Sequence, residues 1–209
     1  NYLSDHGVPI PPQAIAATAD AAAEEAGKLG YPVSVKIHSR DIRHKSDVGG
    51  VKLNIRDEAE LRAAFAAVMD NCAKNAPDAK LEGVLIKPML KYGTEMIIGV
   101  NNDRDFGPMI MVGMGGVFVE LFKDVALAPA PLTGKQAMDM IESLASYPLL
   151  GGYRGGAVCD KEALADLLVK ISEMAAEGKD KVKELDINPV FITEDGAAIA
   201  DALLVLYDD

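Results

Sequence analysis

Five short stretches of strand-like sequence lie close together in the middle of this chain, and they constrain its fold more than any other feature. Turn signals separate them, such as Lys91-Tyr92-Gly93, Asn101-Asn102-Asp103 and Gly113-Met114-Gly115-Gly116. Strands that are joined by short turns pair in antiparallel fashion. The sequence therefore predicts strands at 83–89, 95–100, 109–112, 117–122 and 125–128, with a mainly antiparallel half of the chain after Pro88.

Helical segments and further strands flank this region. Thr18, Asp57, Thr133 and Asp160 are residue types that cap a helix, and the predicted helices run from them to about Gly30, Lys74, Leu144 and Ala176. Further strands are predicted at 33–38, 51–55, 182–188, 190–193 and 198–206. The predicted fold class is α+β with two α/β lobes, one of residues 1–87 and one of residues 88–209, which meet near Pro88.

Composition narrows the class of protein. The 209 residues include 21 Lys and Arg against 32 Asp and Glu, a net charge of −11, which argues against a nucleic-acid-binding domain. Cys72 and Cys159 lack the spacing of a disulfide scaffold or a zinc finger and are typical of a reducing compartment, so we expect a cytoplasmic protein. No signal peptide is visible, and the longest uncharged stretch, 106–119, is too short to span a membrane.

Lys36 is the first residue with chemical interest, because it lies in a strand among Val33, Val35 and Ile37. Alternation places it on the opposite face from these residues, together with Ser34 and His38. It is either a solvent-facing lysine or a cation that binds a nucleotide phosphate. The following loop favours the phosphate, since it supplies further potential cations and two glycines whose N–H groups could bind an anion: Arg40, Arg43, His44, Lys45, Gly49 and Gly50.

The closing hairpin has the pattern of a metal site. Alternation puts Glu184, Asp186 and Asn188 on one strand face, and the chain returns through Asp201 after a turn at Glu194-Asp195-Gly196. A two-residue Glu194-Asp195 loop places Asp201 opposite Asn188, and an Asp195-Gly196 turn places it one step away; a bulged register turns it to the other face. Oxygen ligands with incomplete coordination suit Mg²⁺ carried by nucleotide phosphates. The alternative is an edge hairpin with a solvated face.

The connector after residue 86 has a weaker signal. Adenine offers a donor and an acceptor, which a strand can meet with the C=O of Pro88 and the N–H of Leu90. Glu95 is then placed to hold the ribose hydroxyls. The same residues also suit an ordinary connector between two lobes.

Several motifs resemble one family. The sequence is similar to the ATP-grasp domain of NDP-forming acyl-CoA synthetases (acetate–CoA ligase, ADP-forming, β-type), which are related to the succinyl-CoA synthetase β chain. The resemblance covers nearly the whole chain, and its matching stretches are Tyr-Pro-Val-Ser-Val-Lys-Ile (31–37), His-Lys-Ser-Asp-Val-Gly-Gly-Val (44–51), Gly-Thr-Glu-Met-Ile-Ile-Gly-Val (93–100), Asp-Phe-Gly-Pro (105–108), Gly-Met-Gly-Gly-Val-Phe-Val-Glu (113–120), Gly-Tyr-Arg-Gly (152–155) and Glu-Leu-Asp-Ile-Asn-Pro (184–189).

The resemblance implies an ATP-grasp fold that binds ATP or ADP with Mg²⁺ between two lobes. It implies that Lys36 contacts the α and β phosphates, that Glu95 holds the ribose, and that Arg154 lies near the transferred phosphoryl group. His44 becomes a candidate phosphohistidine. The remaining implied sites are an adenine-binding connector, a phosphate loop and a metal site: Lys87, Pro88, Met89 and Leu90; Lys45, Gly49, Gly50, Gly115 and Gly116; Asn188, Asp201 and Asp186.

The resemblance also implies a partner. In this family a CoA-binding subunit or fused domain forms an acyl phosphate and passes its phosphoryl group through a histidine to ADP. We expect this acid–thiol ligase to need that partner for full turnover with a small carboxylic acid and CoA, and to form an oligomer. One departure is Ala157, where the family usually has proline. The alternatives are an ATP-grasp ligase with another nucleophile and a non-catalytic ATP-grasp module.

Overall fold

The computed structural model describes residues 2–42, 44–116, 123–156 and 158–207. The chain forms two compact units, one of residues Pro11–Met89 and one of Asn1–Ile10 together with Leu90–Asp209. The chain passes between them at Met89 and Leu90, close to Pro88. The first ten residues belong to the second unit, whereas the sequence had placed them in the first lobe.

The first unit is a four-stranded antiparallel sheet with two helices. Its strands lie in the order β1-β4-β2-β3, and β1 was not predicted. The helices contribute to one buried cluster with the inner residues of the sheet, including Val35 and Ile86. The elements are β1 (Ala14–Ala16), α2 (Ala19–Leu29), β2 (Val33–His38), β3 (Val51–Ile55), α3 (Glu58–Asn75) and β4 (Gly83–Pro88), and the short helix α1 (Tyr2–Asp5) precedes them in the second unit.

The second unit is a six-stranded antiparallel sheet. Five strands lie in the order β10-β8-β5-β6-β7, and β9 pairs with β8 beyond the end of β10. Helices α4 and α6 pack on one face. The elements are β5 (Thr94–Asp103), β6 (Gly107–Met114), β7 (Val125–Pro129), α4 (Gly134–Glu142), α5 (Tyr147–Leu150), a 3₁₀ turn (Tyr153–Gly155), α6 (Lys161–Glu177), β8 (Val182–Thr193), β9 (Gly196–Ile199) and β10 (Ala202–Leu206).

The predicted helix caps are confirmed. The side chains of Thr18, Asp57 and Asp160 each accept a hydrogen bond from the backbone N–H three residues later, and Thr133 forms a full capping box with Gln136. Two predicted strand boundaries are wrong: residues 182–193 form one strand, and the strand predicted at 198–206 is interrupted at residues 200 and 201. The strand predicted at 117–122 lies outside the described residues.

Within the described ranges, the helices are too short or too polar to cross a membrane.

Candidate functional site

Lys36 lies near the middle of β2, and the structure confirms the predicted separation of faces. Val33, Val35 and Ile37 are fully buried under the helices of the first unit, while Lys36 is half-buried on the other face. Lys36 is opposite Leu85 of β4 and Val51 of β3, so it stands in the interior of the sheet rather than at its edge. Ser34 on the same face is 5% exposed, so the Lys36 side chain is partly shielded from solvent by its own sheet face.

The connector that follows β4 begins as an ordered extension of the sheet. Lys87 lies opposite Ser34, whose hydroxyl donates a hydrogen bond to the Lys87 carbonyl at 3.3 Å. Pro88 is opposite Val33, and the Met89 N–H donates to the Pro32 carbonyl at 2.9 Å. The backbone is therefore fixed up to Met89, and Leu90 begins the second unit.

The glycines of the basic loop have a different role from the predicted one. The Gly49 N–H donates to the Ser46 carbonyl at 3.0 Å and the Gly50 N–H donates to the Lys45 carbonyl at 2.8 Å. The expectation that these two N–H groups are free for an anion is therefore wrong, because both are used inside the loop.

Close packing explains why glycine is needed there. A Cβ atom on Gly50 would lie 2.6 Å from the Ile37 Cγ2, closer than real contacts allow, and a tight 3.0 Å from the Cys72 Sγ. The Gly50 carbonyl also accepts a hydrogen bond from the Ile37 N–H at 2.7 Å. The end of the loop is thus pressed against β2 and α3, while His44 at its start is exposed.

The hairpin between β8 and β9 has the two-residue Glu194-Asp195 loop. Thr193 pairs with Gly196 and Val190 with Ile199, and the same register continues in β10 as far as Val205. It brings Asp201 opposite Asn188, whose N–H donates to the Asp201 carbonyl at 3.2 Å. Residues directly opposite each other in antiparallel strands share a face. The structure thus selects, among the registers that the sequence allowed, the one that pairs the two candidate metal ligands.

A β-bulge lies at the same point of β8. On the β5 side Met96 pairs with Val190 but Ile98 pairs with Ile187, so β8 carries one extra residue at Asn188-Pro189. Beyond the bulge Val190 points into the core, as Ile187 does before it. Bulges re-aim side chains beside active sites. The sequence signal was the proline itself, which lacks the N–H that a central strand needs.

Gly115 and Gly116 lie next to Glu95. The Gly115 N–H donates to the Glu95 carbonyl at 2.7 Å, so this N–H is not available to a phosphate, against the expectation for Gly115. A Cβ on Gly115 would meet Glu95 backbone and side-chain atoms at 3.1 Å. Gly116 has a φ of +64°, which favours glycine, and it borders the Glu95 carboxylate. The glycines therefore let the chain pass close to Glu95.

Arg154 has an unusual backbone conformation. It lies in the 3₁₀ turn with a φ of +52°, in the left-handed region that few non-glycine residues adopt. Its guanidinium carbon is 5.4 Å from the centre of the Tyr153 ring, and the side chain is exposed. Residues held in such conformations cluster at functional sites. Ala157, the departure noted in the sequence, lies outside the described residues.

Comparison with known proteins places these features in a family. A family model of the ATP-grasp domain matches residues 1–206. The β subunit of acetate–CoA ligase (ADP-forming) I from Pyrococcus furiosus is 46% identical over 204 residues, which cover 98% of this chain and 88% of that protein. The chain belongs to the ATP-grasp family of ADP-forming acetate–CoA ligase β subunits.

Two further relatives show how the domain occurs elsewhere. Acetate–CoA ligase (ADP-forming) I from Archaeoglobus fulgidus is 42% identical over 99% of this chain but only 30% of its own length. A structure of acetyl-coenzyme A synthetase 1 from Ca. Korarchaeum cryptofilum with coenzyme A and Mg-AMPPCP superposes with a TM-score of 0.86 at 36% identity, covering 98% of this chain and 88% of that one. In that protein the phosphohistidine segment points towards the nucleotide-binding site.

Asp186 is an electrostatic neighbour of the candidate metal-ligand pair, Asn188 and Asp201, in this ATP-grasp domain. It lies opposite Gly99 of β5 and Leu203 of β10, on the face that carries Asn188. Partial desolvation between these strands raises the pKa of the Asp186 carboxyl, and the Asp201 carboxylate raises it further. A carboxyl group whose ionisation is disfavoured by a neighbouring carboxylate is stabilised in its charged form by a nearby cation.

The candidate metal ligands fit a Mg²⁺ ion that is also bound by phosphate oxygens. They do not fit a metal ion that protein side chains alone would surround. Among the described residues no three histidine, cysteine, aspartate or glutamate side chains converge as a metal cluster. Asn188 and Asp201, with Asp186 beside them, supply only hard oxygen ligands and too few to surround an ion. Mg²⁺ is typically bound by one or two carboxylates, with phosphate and water oxygens completing its shell.

Asp124 connects β7 to the segment that leads to Arg154. Its two carboxylate oxygens accept hydrogen bonds from the N–H groups of Ala145 and Ser146, both at 2.8 Å. Burial works against the charged form, but hydrogen bonds from the Ser146 side chain and from these N–H groups outweigh it and hold the pKa of the Asp124 carboxyl below its usual value. The ionised group therefore stabilises the fold above the unfolded pKa of about 3.9.

We expect Asp124→Asn to lower the free energy of unfolding at pH 7 by about 1.5–3 kcal/mol, because one of the two N–H groups then faces an amide donor. The difference from the unchanged chain should shrink as the pH falls through the lowered native pKa, since the carboxyl is then protonated. Urea unfolding at neutral and acidic pH measures both effects. Asp166→Asn, at an exposed position on α6, is the matched control. An Asp124→Asn deficit that persists undiminished in acid would contradict this account.

Proposed function

We propose that this chain is the nucleotide-binding, phosphoryl-transferring half of an ADP-forming acyl-CoA synthetase. The overall reaction converts acyl-CoA, ADP and phosphate into a carboxylic acid, CoA and ATP, and it proceeds through phosphohistidine. The observation that carries the proposal is the register of the closing hairpin, which brings Asp201, between β9 and β10, opposite Asn188. This is the oxygen donor set that a Mg²⁺–nucleotide requires.

In this proposal the first unit binds the nucleotide through positively charged side chains and main-chain groups. Lys36 binds the α and β phosphates, and Lys87 to Leu90 bind the adenine through main-chain groups. Lys45 adds positive charge next to His44. The location of Lys36 in the sheet interior supports its role, because a partly buried ammonium interacts with phosphate more strongly than an exposed one.

The second unit supplies the ribose and metal contacts. Glu95 holds the ribose hydroxyls, while Asn188, Asp201 and Asp186 hold Mg²⁺. When bound, the ion neutralises charge on the phosphate oxygens. Arg154 stabilises the transferred phosphoryl group, and Gly116 remains part of the proposed phosphate loop. Phosphoryl transfer depends mainly on positioning and charge neutralisation, which such a set of groups provides.

His44 is the proposed covalent carrier. A ring nitrogen of the neutral imidazole attacks the γ-phosphorus of ATP, an N–P bond forms, and the bond from phosphorus to the ADP oxygen breaks. In the direction of ATP synthesis, ADP attacks the phosphohistidine and the imidazole leaves. The exposed position of His44 at the start of its loop supports this role, because the ring must reach both donor and acceptor.

The proposal includes a partner. The chain's relative from Pyrococcus furiosus is named a β subunit, and the relative from Archaeoglobus fulgidus is more than three times as long as the matched region. A CoA-binding subunit or fused domain selects the carboxylic acid and forms the acyl phosphate, so this chain alone does not complete turnover. We further propose an oligomeric, cytoplasmic enzyme. Its two cysteines are free and buried, consistent with a reducing compartment.

Calorimetric titration of the full chain with ADP tests the nucleotide-binding part of the proposal. We expect ADP to bind in the presence of Mg²⁺ and to bind at least tenfold more weakly in EDTA, since the ion connects the phosphates to Asn188 and Asp201. Absence of binding, or binding of equal strength in EDTA, would favour a non-catalytic ATP-grasp module. Full turnover with an amine acceptor and no CoA-binding partner would favour an ATP-grasp ligase of another class.

A further inference from the structure

Two asparagine side chains of α3 hold the loop that carries His44. The Asn71 Nδ2 donates a hydrogen bond to the Gly49 carbonyl at 3.3 Å, and the Asn75 Nδ2 donates to the Val48 carbonyl at 3.2 Å. The two asparagines are four residues apart and therefore lie on one face of the helix. Neither asparagine is among the residues proposed to bind the nucleotide or the metal ion.

The backbone of the loop is shaped to receive these side chains. Gly49 has a φ of +71°, and a Cβ atom on it would lie 2.9 Å from the Asn71 Nδ2. Only glycine permits both this backbone conformation and this approach. Together with the bonds that Gly49 and Gly50 make inside the loop, the two asparagines fix the segment of residues 45–50 on α3.

We propose that Asn71 and Asn75 are positioning residues for His44. His44 directly precedes the fixed segment, so the anchored backbone sets the point from which the exposed imidazole moves. A fixed base confines the ring to a smaller volume and raises the fraction of time that it spends in line with the phosphoryl group. The inference rests on the proposed role of His44 as phosphoryl carrier, but the anchoring of the loop can be measured without it.

The experiment compares Asn71→Ala/Asn75→Ala with Asn71→Asp/Asn75→Asp in the full chain. The aspartates keep the size of the side chains but cannot donate, which provides a second variant if the alanine variant folds poorly. Three quantities are measured: acid-labile ³²P on His44 from [γ-³²P]ATP, ADP affinity by calorimetry with Mg²⁺, and amide hydrogen exchange of residues 44–50. Lys74→Ala, exposed on the same helix, is the matched control.

We expect the rate of His44 labelling to fall at least tenfold and exchange in the loop to accelerate at least tenfold, with ADP affinity kept within twofold and the control unchanged. A general loss of structure would weaken ADP binding as well. Slower His44 labelling with unchanged ADP affinity therefore identifies a positioning role for the two asparagines. Labelling at the original rate in both variants would overturn the inference. If His44 of the unchanged chain takes no label, the proposed function of His44 fails, and exchange alone decides: acceleration supports the anchor and unaltered exchange overturns it.

Discussion

Asp201→Asn is expected to lower the affinity for ADP in the presence of Mg²⁺ at least about tenfold and to slow phosphoryl transfer by about 10²–10³-fold, the usual loss when one electrostatic contact to the transition state is removed. The substitution keeps the shape of the side chain and removes its negative charge. Asp201 is the carboxylate of the pair that the hairpin register creates with Asn188. Calorimetry with and without Mg²⁺, and single-turnover labelling, measure the two effects.

A control with the same change of charge is available in the hairpin. Asp195 is exposed in the loop and lies 2.8 Å from the Lys91 Nζ, so Asp195→Asn removes a surface ion pair that contributes little to stability. We expect it to leave Mg²⁺-dependent binding within twofold. If Asp201→Asn retained the full difference between titrations with Mg²⁺ and with EDTA, Asp201 would not be a metal ligand.

The closing hairpin shows what the sequence could predict. Alternation alone placed Glu184, Asp186 and Asn188 on one face, because successive strand side chains point to opposite sides. It left the position of Asp201 open, because the turn type decides the register and Glu194-Asp195-Gly196 is compatible with more than one turn. The bulge at Pro189 depends on the pairing of β8 with β5, which lie about 90 residues apart, and no local pattern specifies it.

The glycines of the basic loop show where prediction from residue type fails. A glycine pair beside cations suggested free N–H groups, but glycine also permits close packing, and sequence does not distinguish the two uses. In the structure Gly49 and Gly50 pack against Asn71 and Cys72 of α3, and each of these partners lies 22 residues further along the chain. The sequence of the loop therefore gives no information about the α3 residues that anchor it.

Tertiary contacts also explain the assignment of the first ten residues. Leu3 and Val8 are buried in the core of the second unit, which otherwise begins at Leu90. A segment this short, with only a few apolar residues, carries no signal that specifies which of two sheets it will cover. The unpredicted strand β1 is similar, since three residues are too few to show an alternating pattern.

His44→Ala is expected to abolish acid-labile ³²P labelling from [γ-³²P]ATP and to lower the turnover of the enzyme assembled with the proposed CoA-binding partner at least about 10³-fold, as removal of a covalent nucleophile does. ADP binding should stay within about twofold, because His44 is exposed at the start of its loop and makes no proposed contact with the nucleotide in the ground state. Labelling, turnover and calorimetry measure the three quantities on the same preparation.

His6→Gln is the control for this substitution. His6 lies in the second unit, where its ring nitrogen is 2.8 Å from the Tyr2 carbonyl, and it belongs to no proposed site. The labelled residue can therefore be separated from a general effect of removing an imidazole. Loss of label in His44→Ala but not in His6→Gln assigns the carrier to the loop that α3 anchors. If His44→Ala instead takes up label with unchanged stoichiometry, another residue is the phosphoryl acceptor. The proposed role of His44 as phosphoryl carrier would then be wrong, even if Mg²⁺ and ADP bind as proposed.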